Sequence, residues 1–317
     1  EGLLTASSLA DALGKGHFTT RDQLLINKTT DKKPEFEINP IMQWGVKYEP
    51  VATVFYEQMF GVDIVEFGLI PHPELSVFGA SPDGICDTTS PKEYIGRMLE
   101  IKCPPKRQFT NEVPLHYWMQ MQGQLEVCDL EECDFLQVKI EEYNSFREYV
   151  EDSPESNVQG ETAEGLPKGL VLSFKIQEIG KTEYSIHYEY SPWSFDDESL
   201  RLWKEDTIKE TLDKYLCDID VHCSLLEEKY WSIKRYECTL VRRDKKWWFS
   251  VVPEIIKFWD DVTYYRRVGN EEVQKKIDSR KRKKKPEKDP KVFVMPKLAE
   301  GCHILSSSDE EDNNEDK

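Results

Sequence analysis

Two hydrophobic periods alternate along this chain, and their order constrains its fold more than any other feature. Over residues 41–60, Trp44, Tyr48, Val51, Phe55 and Met59 recur at helical spacing, which gives one helix face an apolar stripe. Residues 63–85 switch to short β-type runs, 64–70 and 76–79, punctuated by Pro71 and Pro73. A polar hairpin loop over 87–96 leads into a further strand at 97–103. Residues 113–127 have a helical pattern, and 134–140 return to strand. Helix, strands, helix, strand in that order define an α/β core, with a central sheet flanked by helices.

Around this core the pattern extends in both directions. Residues 3–14 form a short helix, with Thr5, Ser7 or Ser8 as N-cap candidates and Gly14 as its stop. Such an N-terminus can bind a phosphate. Residues 149–167 are acidic and polar, an exposed loop. Beyond them, 169–176 and the cleanly alternating 183–190 pair as a β-hairpin. A largely helical stretch over 194–226, a strand over 231–240 and an aromatic-rich helix over 247–267 complete the C-terminal additions. Residues 1–270 are expected to form one domain and 271–317 a basic arm and acidic tail too poor in apolar residues for a core.

Charge is distributed unevenly. The 317 residues carry a net charge of -18, whereas contacts to nucleic-acid phosphates need Lys and Arg. Residues 275–291 alone hold about +7, and everything before them about -20. Any contact with DNA must therefore use a local basic surface. No apolar run is long enough to span a bilayer and no signal-peptide pattern opens the chain. The eight cysteines are scattered among apolar segments without a CxxC pair, the usage of reduced intracellular thiols. With Glu1 in place of an initiating Met, the numbering is expected to start inside a longer gene product.

Chemistry concentrates in two short segments. Gly79-Ala80-Ser81-Pro82-Asp83-Gly84 sets one carboxylate in a turn, and Leu99-Glu100-Ile101-Lys102-Cys103-Pro104 sets a second two residues before a lysine. In a strand Glu100 and Lys102 project to one face. Two carboxylates can hold a hard cation such as Mg2+, and the lysine can position an attacking water or stabilise charge on a phosphate. The alternative is an exposed turn beside a surface ion pair on an edge strand.

The neighbouring residues extend this pattern. Gly45-Val46-Lys47-Tyr48-Glu49-Pro50, Ser81-Pro82-Asp83-Gly84, Leu99-Glu100-Ile101-Lys102-Cys103-Pro104 and Tyr117-Trp118-Met119-Gln120-Met121-Gln122 together resemble the λ-exonuclease/YqaJ-type viral recombinase (alkaline exonuclease) branch of the PD-(D/E)XK nuclease superfamily, found in phages and large DNA viruses. Gly2-Leu3-Leu4-Thr5-Ala6-Ser7 is similar to the family's R-x-G-x-x-T-A-S segment, whose arginine would fall one residue before Glu1.

The resemblance implies a restriction-endonuclease-like core and a metal-dependent 5′→3′ exonuclease acting on double-stranded DNA ends in viral recombination, repair or replication. It implies that Asp83, Glu100 and the main-chain carbonyl of Ile101 bind Mg2+ or Mn2+, and that Lys102 positions the attacking water. Glu49 would touch a second metal, Gln120 would orient Lys102 or a phosphate, and Ser7 would contact a DNA phosphate. For Glu49 and Gln120 the alternative is an ordinary solvated helix residue. Relatives often work with a single-strand annealing protein, some as closed rings and others alone. An enzyme of this kind would act in the host nucleus or at a cytoplasmic viral replication site. An endonuclease on the same core, and a DNA-binding replication scaffold with a vestigial nuclease site, remain open.

Other residues carry weaker signals. His72, His116 and His187 lack metal-ligand spacing and suit structural roles. Trp247-Trp248-Phe249, after Arg242-Arg243-Asp244-Lys245-Lys246, could stack bases, although such aromatics are more often core. The basic run 281–285 suits nuclear import, a nonspecific DNA arm or a solvated linker. Ser306-Ser307-Ser308-Asp309-Glu310-Glu311-Asp312 suits acidophilic phosphorylation.

Overall fold

The computed structural model describes residues 2–30, 39–106, 108–155, 158–216 and 220–284. The elements in chain order are β1 (Leu4–Thr5), a 3-10 turn at Ala6–Ser8, α1 (Leu9–Ala12), α2 (Arg21–Thr29), α3 (Pro40–Phe60), β2 (Ile64–Val65), β3 (Ile70–Pro71), β4 (Phe78–Ala80), β5 (Gly84–Cys86) and β6 (Met98–Lys102). There follow α4 (Leu115–Cys128), β7 (Glu132–Glu142), α5 (Phe146–Glu151), β8 (Lys168–Glu178), β9 (Ser185–Tyr190), α6 (Asp197–Leu216), β10 (Val221–Arg242), α7 (Lys245–Val268) and α8 (Glu271–Lys284).

Seven strands form the main sheet in the order β2-β5-β6-β7-β10-β8-β9. β5 and β6 pair antiparallel, with Gly84 opposite Leu99. β6 and β7 pair in parallel, with Glu100 opposite Phe135. A parallel pair needs a crossover, and α4 supplies it. This is the mixed sheet flanked by helices that the segment order predicts. The expected hairpin is present as β8 and β9, with Val171 opposite Tyr190.

The two faces of β6 have different duties. Leu99 and Ile101 join Tyr48, Val51 and Phe55 of α3 in one buried cluster with Leu136, Val138 and Trp231. Met98 packs with Met121 and Leu125 of α4 and with Phe135 on the opposite face. Strand alternation therefore aims Glu100 and Lys102 toward α4. α3 starts at Asn39, whose side chain accepts the Ile41 N–H at 2.9 Å, and stops at Gly61 with φ 62°. Gly123 admits the N-terminal segment against α4. A Cβ there would lie 2.9 Å from Phe78 and 3.3 Å from Ala6.

Several boundaries depart from expectation. The helix over 3–14 shrinks to Leu9–Ala12, because Leu4–Thr5 pair in parallel with β4 and Ala6–Ser8 form a 3-10 turn. No side-chain cap bond forms at Thr5 or Ser8. The run 64–70 divides between two sheets, β2 pairing with β5 and β3 with β4. Residues 221–226 are strand, not helix: β10 is 22 residues long and pairs with β8 from Val221 onward. Long-range pairing has overridden local preference there. Phe146–Glu151 make a short helix at the start of the acidic loop.

The chain divides into units 1–274 and 275–317. The first part of the basic arm is helical within Glu271–Lys284, while the rest of the arm and the acidic tail lie outside the described residues. Among the described residues no helix is long and apolar enough to cross a membrane.

Candidate active site

Asp83 lies in the bend between β4 and β5, Glu100 and Lys102 on β6, and Gln120 on α4. The fold brings these four together. Lys102 Nζ donates to Glu100 Oε1 and, at 2.9 Å, to the main-chain carbonyl of Ile101, and lies 4.0 Å from Asp83 Oδ2. The same Asp83 oxygen, Oδ2, accepts the Ile101 N–H at 2.6 Å, which ties the turn to β6. Gln120 Nε2 donates to Glu100 Oε1 at 2.6 Å.

Glu100 is 0% exposed, so its charge depends on these donors. Burial alone would lower the Lys102 pKa, but Glu100 and Asp83 outweigh it and hold the ammonium above its ordinary value. The Asp83 carboxyl is pushed well above the usual range, first by burial and then by Glu100, with Lys102 opposing. Glu49, on the open side of α3, is also raised: removal from bulk water dominates, Lys102 opposes it, and Glu100 and Glu66 add repulsion. Two carboxyl groups short of positive charge surround a single lysine.

The expected cation ligands fit this geometry. The Glu100 carboxylate, the Ile101 carbonyl and the Asp83 carboxylate are the three oxygens around the Lys102 ammonium, which stands where a hard cation would find its donors. Among the described residues no group of three or more His, Cys, Asp or Glu side chains forms a ready cage. A cation here would keep several waters, as Mg2+ does.

A cavity of about 750 Å³ opens beside Lys102 and Ile101, and its lining includes Glu49, His17, Phe18, His116 and Tyr117. Ser7 is not among its lining residues. That serine is exposed on the 3-10 turn and pairs with the Thr5 hydroxyl at 3.1 Å.

One residue of the cluster went unnoticed among the glutamines of α4. Gln124, 1% exposed, donates from Nε2 to Glu100 Oε2 at 2.7 Å and to the Ser81 carbonyl at 3.3 Å. It ties the turn bearing Asp83 to the strand bearing Glu100. Its spacing from Gln120, one helical turn, was the available signal.

The remaining aromatic and histidine candidates divide. Trp248 is buried against Phe78 and His72, Trp247 packs on Trp118, and Phe249 is 68% exposed. His72 Nδ1 accepts the Glu74 and Leu75 N–H groups, and His187 pairs with Glu189. His116 instead faces the cavity.

Residues 1–131 match the YqaJ-like viral recombinase domain. This match covers the segment that holds all four motifs, from Gly45 to Gln122. An uncharacterized protein of Acanthamoeba polyphaga mimivirus is 29% identical over 282 residues, covering 83% of this chain and 51% of that protein. The chain thus spans about half the length of this viral relative. Among solved structures, an alkaline exonuclease from Laribacter hongkongensis is similar with a TM-score of 0.46 and 21% identity, over 86% of this chain and 94% of that one. A phage-related exonuclease from Haemophilus somnus has a TM-score of 0.40 and 12% identity, over 85% and 96%.

Proposed function

We propose that the protein is a divalent-metal-dependent deoxyribonuclease that digests linear duplex DNA from its 5′ ends. The observation that carries this reading is the convergence of Asp83, Glu100 and the Ile101 carbonyl on one cationic position beside an open cavity. The YqaJ-like domain over residues 1–131 supports DNA as substrate. Mg2+ or Mn2+ held by these oxygens would polarise a phosphodiester and make a water more acidic. Lys102 holds its proton and offers a permanent positive charge to the phosphate as negative charge builds up. Gln120 and Gln124 keep Glu100 oriented, and Glu49 presents a second carboxylate to the cavity. The setting we assign is viral recombination, with a single-strand annealing protein as the natural partner for the strand left behind.

The test compares wild type with Lys102→Ala on linear duplexes bearing 5′-phosphate or 5′-hydroxyl ends and on closed circles, with Mg2+ or with chelator. Wild type should digest only linear DNA, only with metal, and prefer the phosphate end. Lys102→Ala should lose at least a hundredfold. Cutting of closed circles would favour an endonuclease, equal activity of the two proteins would sink the site assignment, and inactivity of both would favour a DNA-binding scaffold.

A further inference from the structure

Part of the cavity lining beside Lys102 is built from rings that the nuclease chemistry does not use. Phe18 is 80% exposed. It meets His17 edge-on, centroids 4.7 Å apart at 89°, and His116 edge-on at 5.8 Å and 86°. His17 and His116 are themselves stacked, 5.3 Å apart at 12°. Tyr117 continues the cluster at 4.1 Å from His116, and Lys102 Nζ lies 5.3 Å from the Tyr117 ring centre. The rings therefore run without a break from the rim to the lysine.

Scattered exposed aromatics need no explanation, but these come from segments about 100 residues apart and share a cavity with Lys102 and Glu49. We infer that His17, Phe18 and His116 form a stacking platform for one unpaired nucleobase of the strand whose phosphate lies at Lys102. The inference rests on the nuclease reading for the position of that phosphate. Three features favour a base as the occupant. The volume, about 750 Å³, is that of a small-molecule site. Continuity with Lys102, and Lys106 on the same cavity, provide cations for the backbone attached to the base. The lining also includes Pro104, Pro105 and Pro114, which cannot read a base edge by side-chain hydrogen bonds. Stacking of this kind tolerates any base, because every base has a π-face. It requires that the base has left the duplex.

The probe is a single-stranded oligodeoxynucleotide with 2-aminopurine at its 5′ end, whose fluorescence falls on stacking. Binding is read on otherwise wild-type protein in chelator, which prevents turnover, with and without Phe18→Ala. The side chain of Phe18 is exposed, so its removal leaves the fold intact. Quenching should disappear with Phe18→Ala and persist with Phe18→Tyr. On linear duplex, Phe18→Ala in otherwise wild-type protein should raise KM about tenfold, ~1.4 kcal/mol, within the range for one base–aromatic stack. An abasic terminal nucleotide should erase the difference from wild type. Undiminished quenching in Phe18→Ala, or an equal KM defect on the abasic substrate, would overturn the platform. Quenching by a wild-type protein that cuts no DNA would refute the nuclease reading alone, and cutting without quenching the platform alone.

Discussion

Replacing Gln124 with leucine separates the stability of the active site from its ability to hold a cation. Both acceptors of the Gln124 amide are oxygens, Glu100 Oε2 at 2.7 Å and the Ser81 carbonyl at 3.3 Å, so the NH2 end must face them. Its own Oε1 is buried and has no hydrogen-bond partner among the described residues. Losing the bond to a charged Glu100 costs about 1.5–3 kcal/mol, whereas removing an unsatisfied buried oxygen returns about 1–3 kcal/mol. Leucine fills a similar volume, so little is lost to a cavity. Thermal stability without metal should therefore change by less than about 2 kcal/mol. Glu100 nevertheless loses the donor that fixes one of its oxygens, and supporting partners of this kind are worth on the order of 10- to 100-fold in metal affinity. Titration calorimetry with Mn2+ beside denaturant unfolding reads both quantities. A loss of stability beyond about 3 kcal/mol, or unchanged affinity, would refute the reasoning. Gln124→Glu adds a complementary sign: a second carboxylate against buried Glu100 should destabilise the metal-free protein and enlarge its thermal stabilisation by Mn2+.

Gln120→Ala removes a 2.6 Å donor from Glu100 Oε1 and should lower kcat/KM roughly 10- to 100-fold, read by single-turnover digestion, while lowering stability by about 1.5–3 kcal/mol, read by urea unfolding. Raised carboxyl groups give a defined pH dependence. Asp83 lies well above and Glu49 above its ordinary value when folded, so the folded state binds more protons than the unfolded one in that window. Their contribution to metal-free stability therefore falls as pH rises from the normal carboxylate range through the raised values. Melting curves in chelator should show that fall, and saturating Mg2+ should flatten it. Asp152 has the opposite sign. Burial raises it, but Lys234, the Tyr143 hydroxyl and the Ala163 N–H outweigh this and bring it down to about 2. Asp152→Asn should cost about 2 kcal/mol at pH 7, and its difference from wild type should vanish as pH falls from about 4 to 2, measured by urea unfolding.

The sequence exposed those features that depend on local periodicity. α3, α4 and the β8–β9 hairpin lie within a few residues of the expected bounds because each presents one apolar face to the core. β10 was half hidden, since residues 221–226 take their strand form from β8, whose partner residues lie more than 40 positions earlier. The short β2 and β3 were merged for the same reason: local apolar character does not reveal which sheet a segment joins. At the site, strand alternation sufficed to place Glu100 beside Lys102, and a family motif drew attention to Gln120. Gln124 was passed over and His116 was read as structural because their partners, Glu100 and His17, come from other elements. A helix residue facing a buried carboxylate looks in sequence like one facing water.

Lys102 links these observations. Glu100 has no exposed surface, and Lys102, which does reach the cavity, covers it. The ammonium is held by the same oxygens expected to hold the cation. Two positive charges could not share that position in a buried site, so a cation held by Glu100, Asp83 and the Ile101 carbonyl would require Lys102 to move aside. The cavity that Lys102 lines would receive the displaced ammonium. A lysine serving only as an ion pair would leave two bare carboxylates on its removal and weaken the site. A lysine that competes for the cation position gives the reverse result: Lys102→Ala should bind Mn2+ at least as tightly as wild type, by titration calorimetry, while failing to cut DNA. Weaker binding in that variant would show that Lys102 supports the cation site and does not compete for it.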